Sequence, residues 1–127
     1  MAPRILVVDD EELIVTTVRT IFAAYGYHTE GALSGEEAIA KAKAMSPDLL
    51  LCDVRLPGLN GFEAALQIKE FCPRCRLLFF SAYVDAEYLV RDFRRIFAER
   101  GYPMELLPKP VHPSTLLRTV ERTLLAA

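Results

Sequence analysis

Five polar residues stand at the ends of short apolar segments. Asp9 and Asp10 follow "RILVV" at 4–8, and Asp53 follows "LLLC" at 49–52. Ser81 follows "RLLFF" at 76–80, and Lys109 follows "MELLP". Their chemistry is complementary. Carboxylates can attack an electrophile or ligate a hard cation, a hydroxyl can donate a hydrogen bond, and an ammonium can neutralise developing charge. Taken singly, each is an ordinary cap or solvated loop residue. Gathered in one place they are not, because one pair of ionised carboxylates about 4 Å apart costs about 4 kcal/mol at an effective dielectric of about 20. Three acids held together call for a compensating charge, a hard divalent cation such as Mg²⁺ above all, with Lys109 offsetting part of the remainder.

Whether these residues meet depends on the elements that carry them. The β-branched or aromatic runs at 4–8, 49–52 and 76–80 read as strands, with weaker candidates at 27–31 and 104–107. Helical patterns lie between them. Residues 12–25 place Ile14, Val18, Ile21, Phe22 and Tyr25 on one face. Ser34 followed by Glu37 forms a capping box opening 35–45, which Pro47 closes, and Asn60 caps 61–71. The stretch 85–100 carries Leu89, Phe93, Ile96 and Phe97 on one side, and Pro113 starts a last helix with Leu116, Leu117, Val120 and Leu124 inward. Repeated strand–helix alternation predicts an α/β fold, a doubly wound parallel sheet with helices on both faces. Right-handed crossovers favour the five-stranded order 2-1-3-4-5. In such a sheet ligands bind beyond the carboxyl ends of the strands, where strands 1 and 3 are neighbours, so the three acids converge.

Bulk composition narrows the function classes. The chain of 127 residues suits one domain, 1–127, and 52% hydrophobic content supplies its core. A formal net charge of −2, with no basic run, argues against direct nucleic-acid binding. No apolar run approaches a bilayer span and the N-terminus turns acidic at once, so the expectation is a soluble, cytoplasmic chain with no membrane partner. Cys72 and Cys75 have redox or zinc spacing. They precede a predicted strand rather than opening a helix, and no second such pair exists, so a metal or disulfide role is not expected. Cys52 reads as a small core residue.

The elements "ILVVDDE", "DVRLPGLNG" with its D-x-x-x-P-x-x-x-G spacing, "SA" at 81–82 and "KP" at 109–110 occur in one order. Together they resemble the receiver domain of two-component response regulators, CheY-like with a flavodoxin-like (βα)5 fold, over essentially the whole chain from Arg4. The resemblance implies that Asp53 is the phosphoacceptor, taking a phosphoryl group from a histidine kinase or a histidine phosphotransfer protein. It implies Mg²⁺ held by Asp10, Asp53 and the backbone carbonyl of Arg55, with Asp9 acting through water. Lys109 would pair with one phosphoryl oxygen and Ser81 donate to another, beside a small Ala82, and the Lys109–Pro110 bond would be cis. The domain would catalyse only its own phosphorylation and dephosphorylation, and Arg55 and Tyr83 would tune the dephosphorylation. Phosphorylation would rearrange the face of helix 4, strand 5 and helix 5 toward a downstream output protein or domain, or toward a phosphorylation-dependent dimer.

Two features depart from that pattern. Leu106 stands where receivers often carry Tyr or Phe, and Ser81 and Lys109 lie 28 positions apart, several more than the pattern has. The excess falls in "DAEYLVRDFRRIFAERGYPME", so helix 4 or its exit loop is expected to be long and to set partner choice. Three other readings compete. A haloacid-dehalogenase-type phosphatase would want D-x-D after strand 1, where this chain has "DDEE". A flavodoxin-type carrier would want a Ser/Thr/Gly-rich phosphate loop there. A receiver-like interaction module working without phosphorylation is the third, to which Leu106 lends some support.

Overall fold

The computed structural model describes residues 2–82 and 87–126. Five strands, β1 (Arg4–Val8), β2 (His28–Ala32), β3 (Leu49–Asp53), β4 (Arg76–Ser81) and β5 (Met104–Pro108), alternate with five helices. The helices are α1 (Glu12–Ala24), α2 (Gly35–Met45), α3 (Gly61–Phe71), α4 (Glu87–Glu99) and α5 (Pro113–Leu125). All strand pairs are parallel and the order is β2-β1-β3-β4-β5, the arrangement expected from the alternation.

The apolar runs are continuous because both faces of the central strands are covered. Along β1, Leu6 and Val8 face the side packed by α2, α3 and α4, while Ile5 and Val7 face the side packed by α1 and α5. Leu50 and Cys52 in β3, and Leu77 and Phe79 in β4, continue the first layer. Leu49, Leu51, Leu78 and Phe80 continue the second. Phe62 of α3 ties the first layer together, 4.7 Å from Phe79, 5.1 Å from Phe93 and 5.9 Å from Phe97 between ring centroids.

Local signals account for the helix starts. Ser34 Oγ accepts from the Glu37 N–H at 3.1 Å, while the Glu37 carboxylate reaches past Ser34 to accept from the Leu33 N–H at 2.6 Å. At α3 the box is reciprocal: the Glu63 N–H donates to Asn60 and the Asn60 N–H donates to Glu63. Pro113 opens α5.

Several expectations shift. Tyr25 is not on the inner face: α1 ends at Ala24, leaving Tyr25 as its exposed C-cap, and Val15 joins Val18 and Phe22 inside. Strand β2 begins at His28 because the ladder starts opposite Arg4, and Tyr27 instead meets the edge of Phe22. Asp53, Ser81 and Pro108 lie within their strands. Pro108 needs no outer ladder partner, since β5 is the sheet's edge. The exit loop after α4 is not long, since only residues 100–103 separate α4 from β5. Leu106 sits opposite Phe79 of β4, and its side chain packs against the first layer.

Candidate functional site

The carboxyl ends of β1, β3, β4 and β5 bring the five polar residues together. Asp9 extends the ladder, its N–H donating to the Ala32 carbonyl at 3.2 Å, and its side chain is fully buried. One carboxylate oxygen accepts from the Glu11 N–H at 2.9 Å and the other from Lys109 Nζ at 2.7 Å. Asp10 is exposed beside it. Asp53, 6% exposed, lies 3.3 Å from the same Nζ and also accepts from the Arg55 backbone N–H. One ligand oxygen from each of Asp9, Asp10 and Asp53 can be chosen so that all lie within 4.8 Å of one another.

Lys109 is aimed from the opposite side. Its N–H donates to the Ser81 carbonyl at 2.8 Å, which ties the end of β5 to the end of β4. The Lys109–Pro110 peptide is cis, as the resemblance implies. Nζ also stands 5.7 Å from the centroid of the Phe80 ring, a contact favourable to a cation. Ser81 is buried and Ala82 exposed. Tyr83 lies outside the described residues.

Burial is the main influence on Asp53 and pushes its carboxyl above the usual carboxylate range. The Lys109 charge opposes that rise, Asp9 adds to it, and the hydrogen bonds from Lys109 and the Arg55 N–H oppose it. Lys109 is the converse case. Burial disfavours its charge, but the hydrogen bond to Asp9 and the charges of Asp53 and Asp9 outweigh burial and hold its pKa above the ordinary lysine value. One ammonium thus serves two buried acids while a third acid stands beside them. Three hard oxygen donors in that arrangement suit a small divalent cation such as Mg²⁺.

A stability prediction follows from the direction of the Asp53 shift. A carboxyl whose folded pKa is raised binds its proton more tightly when folded. Its contribution is therefore present below its ordinary value of 3.8 and lost as pH rises through the higher folded value. At neutral pH the ionised group opposes folding. Asp53→Asn should therefore raise the metal-free melting temperature at pH 7, with the gain shrinking toward pH 3. Thermal melts of both proteins across that range decide it, and a variant melting lower than wild type at pH 7 would reverse the conclusion.

Two contributors escaped sequence reasoning. A methyl group on Gly61 would lie 2.0 Å from the Asp53 carbonyl oxygen, so this position presses directly on the strand end. The D-x-x-x-P-x-x-x-G spacing contains Gly61 but does not reveal that contact. Phe80 beneath Lys109 could have been found, since alternation along β4 puts its ring on the α1–α5 side.

A family model described as the response regulator receiver domain matches residues 5–121. The transcriptional regulatory protein ZraR of Salmonella typhimurium is 31% identical over 94% of this chain, but the match spans 26% of that protein. The chemotaxis protein CheY of Thermotoga maritima is 26% identical, with 96% of this chain and 98% of CheY covered. Among solved structures, a CheY-like receiver domain protein from Methanospirillum hungatei superimposes with a TM-score of 0.84 at 27% identity, covering 98% of this chain and 94% of that one. The chain thus spans about a quarter of the length of the larger regulator and nearly all of the small relatives.

Proposed function

This chain belongs to the response regulator receiver domain family, and from that premise we propose that it accepts a phosphoryl group on Asp53 and relays the change to a partner. The donor is a phosphohistidine on a histidine kinase or histidine phosphotransfer protein. An Asp53 carboxylate oxygen attacks phosphorus, the P–N bond breaks, and the imidazole leaves with its electron pair and takes up a proton. A carboxylate is a weak nucleophile, so positioning and charge neutralisation must supply the rate. The observation that carries the reading is Lys109 Nζ at 2.7 Å from Asp9 and 3.3 Å from Asp53, inside a cluster of three acids.

Each residue has its part in that scheme. Asp10, Asp53 and the Arg55 carbonyl hold Mg²⁺, with Asp9 acting through water. The bound cation supplies charge neutralisation for the transferring phosphoryl oxygens. Lys109 exchanges its carboxylate contact for a phosphoryl oxygen, and Ser81 donates to another. Burial of Asp53 in β3 holds the nucleophile rigidly and limits water beside the acyl phosphate. The new charge, between one and two units negative, then shifts the face of α4, β5 and α5 toward an output protein or domain, or toward a phosphorylation-dependent dimer. Partner choice rests on α4, which runs 13 residues. Such a relay operates in the cytoplasm. No described helix is long and apolar enough to cross a membrane.

Intact mass after incubation with acetyl phosphate tests the proposal. Wild type should gain one phosphoryl group, about 80 Da, only when Mg²⁺ is present, and Asp53→Asn should gain none. A folded wild type that gains nothing with Mg²⁺ would favour the module that binds partners without phosphorylation. Leu106, in place of the usual aromatic residue, is the feature that favours that second reading.

A further inference from the structure

The phosphoryl scheme leaves unused a pair of thiols at the opposite end of the sheet. Cys72 caps the C-terminus of α3, and Cys75 immediately precedes β4. The Cys75 N–H donates to the Cys72 carbonyl at 3.1 Å, which closes Cys72-Pro73-Arg74-Cys75 into a four-residue turn. A turn of that kind holds its end Cα atoms within about 7 Å. The Cα separations that a disulfide bridges, about 4.4–6.8 Å, lie within that limit. Both cysteines are free thiols, with Cys72 Sγ donating to the Pro47 carbonyl and Cys75 Sγ to the Arg76 carbonyl, each at 3.5 Å. Exposure differs between them, for Cys72 is partly open to solvent and Cys75 is fully buried.

Lys69 completes the arrangement. Only 8% exposed, it donates through Nζ to the Pro73 carbonyl at 2.6 Å and the Cys75 carbonyl at 3.0 Å, clamping the turn from α3. The same ammonium lies 4.9 Å from the Tyr102 ring centroid and interacts electrostatically with both sulfurs. Burial disfavours the charge on Lys69, and that charge opposes the rise of the Cys75 thiol without overcoming it. Burial, followed by Cys72, pushes the Cys75 thiol up to about 12, which leaves the partly exposed Cys72 as the sulfur an oxidant meets first.

We infer that Cys72 and Cys75 form a redox modification site that a low-molecular-weight disulfide, of the glutathione class, converts to an intrachain disulfide. In the first step the Cys72 sulfur attacks one sulfur of the oxidant, whose S–S bond breaks. One reduced thiol leaves, carrying the proton lost by Cys72. The Cys75 sulfur then attacks the Cys72 sulfur, expels the second reduced thiol and passes its proton to it. Two protein thiols are oxidised, one small disulfide is reduced, and no other reactant is needed. The sequence pattern alone argued against this role because the pair opens no helix; the hydrogen-bonded turn and the lysine clamp supply what the pattern lacked. The inference depends on no part of the phosphoryl scheme, since the turn lies at the amino ends of the strands and the acids at the carboxyl ends.

The full chain, incubated with oxidised glutathione and then alkylated after denaturation, gives the test by intact mass. Wild type should lose two hydrogens, about 2 Da, and retain one alkylatable thiol, Cys52, with dithiothreitol restoring all three. Cys75→Ser should stop at a glutathione adduct on Cys72, and Cys72→Ser should form neither adduct nor internal disulfide. A stable glutathione adduct on wild type, a disulfide-linked dimer, or three alkylatable thiols throughout would each overturn the inference.

Discussion

Gly61→Ala should destabilise the protein by about 3 kcal/mol and slow its phosphorylation by acetyl phosphate at least tenfold. Helix propensity predicts the opposite sign. Alanine is favoured over glycine within a helix by about 1 kcal/mol, partly through the entropy of the unfolded chain. Packing decides the matter, because the new Cβ would stand 2.0 Å from the Asp53 carbonyl oxygen and 3.1 Å from the Cys52 sulfur. The oxygen belongs to the backbone, so no rotamer change can relieve the overlap. Either α3 retreats from β3, loosening Phe62 within its aromatic cluster, or the end of β3 moves. Moving β3 displaces the proposed nucleophile. Gly61 is also tethered, since its N–H donates to the Val54 carbonyl at 2.9 Å, so the loop cannot absorb the shift freely. Urea denaturation reads the stability loss, and the time course of the mass gain reads the chemistry. An alanine variant as stable as wild type, phosphorylated at the same rate, would show that the close approach carries neither consequence.

Legibility in the sequence followed burial. Strands β1, β3 and β4 declared themselves because both faces are covered, so their residues are apolar without interruption. Strand β2 was displaced by one residue because its start depends on pairing with Arg4, a long-range fact that local pattern does not hold. Tyr25 misled for a related reason: a helical repeat marks a face but not where the helix stops. Among site residues, the types and strand-end positions of Asp9, Asp10, Asp53, Ser81 and Lys109 were all readable. Which acid Lys109 holds most closely was not. The ammonium is nearer Asp9, at 2.7 Å, than Asp53, at 3.3 Å, a difference that local pattern does not hold. Lys69 was invisible altogether, because a lysine late in a helix ordinarily extends into water. Only the folded turn shows it buried over Tyr102 and bonded to two carbonyls.

Lys109→Met isolates the electrostatic side of the site. Methionine keeps an unbranched, flexible chain over Phe80 and removes the charge. The metal-free variant should lose about 3 kcal/mol at pH 7, because breaking a buried pair leaves its partner uncompensated. Asp9 is fully buried and would keep only the Glu11 N–H, while its repulsion with Asp53 would go unopposed. The pH dependence has a definite sign. Since the folded pKa of Lys109 is raised above 10.5, its contribution is complete throughout the neutral range and fades only as pH climbs through that higher value. Toward acid the difference between variant and wild type should shrink as Asp53, whose carboxyl is raised above 3.8, takes up its proton. Mg²⁺ should act in the same direction. The acids of the variant have lost their internal counterion, so saturating Mg²⁺ should raise its melting temperature more than it raises that of wild type. Phosphorylation tests a different property of the same amine. Lys109→Arg restores the charge, but its planar fork differs from a compact ammonium, so it should recover stability more fully than phosphoryl transfer. Equal stability of wild type and Lys109→Met in the absence of metal would sink the electrostatic account. A Mg²⁺ response no larger in the variant than in wild type would instead place the cation away from these acids.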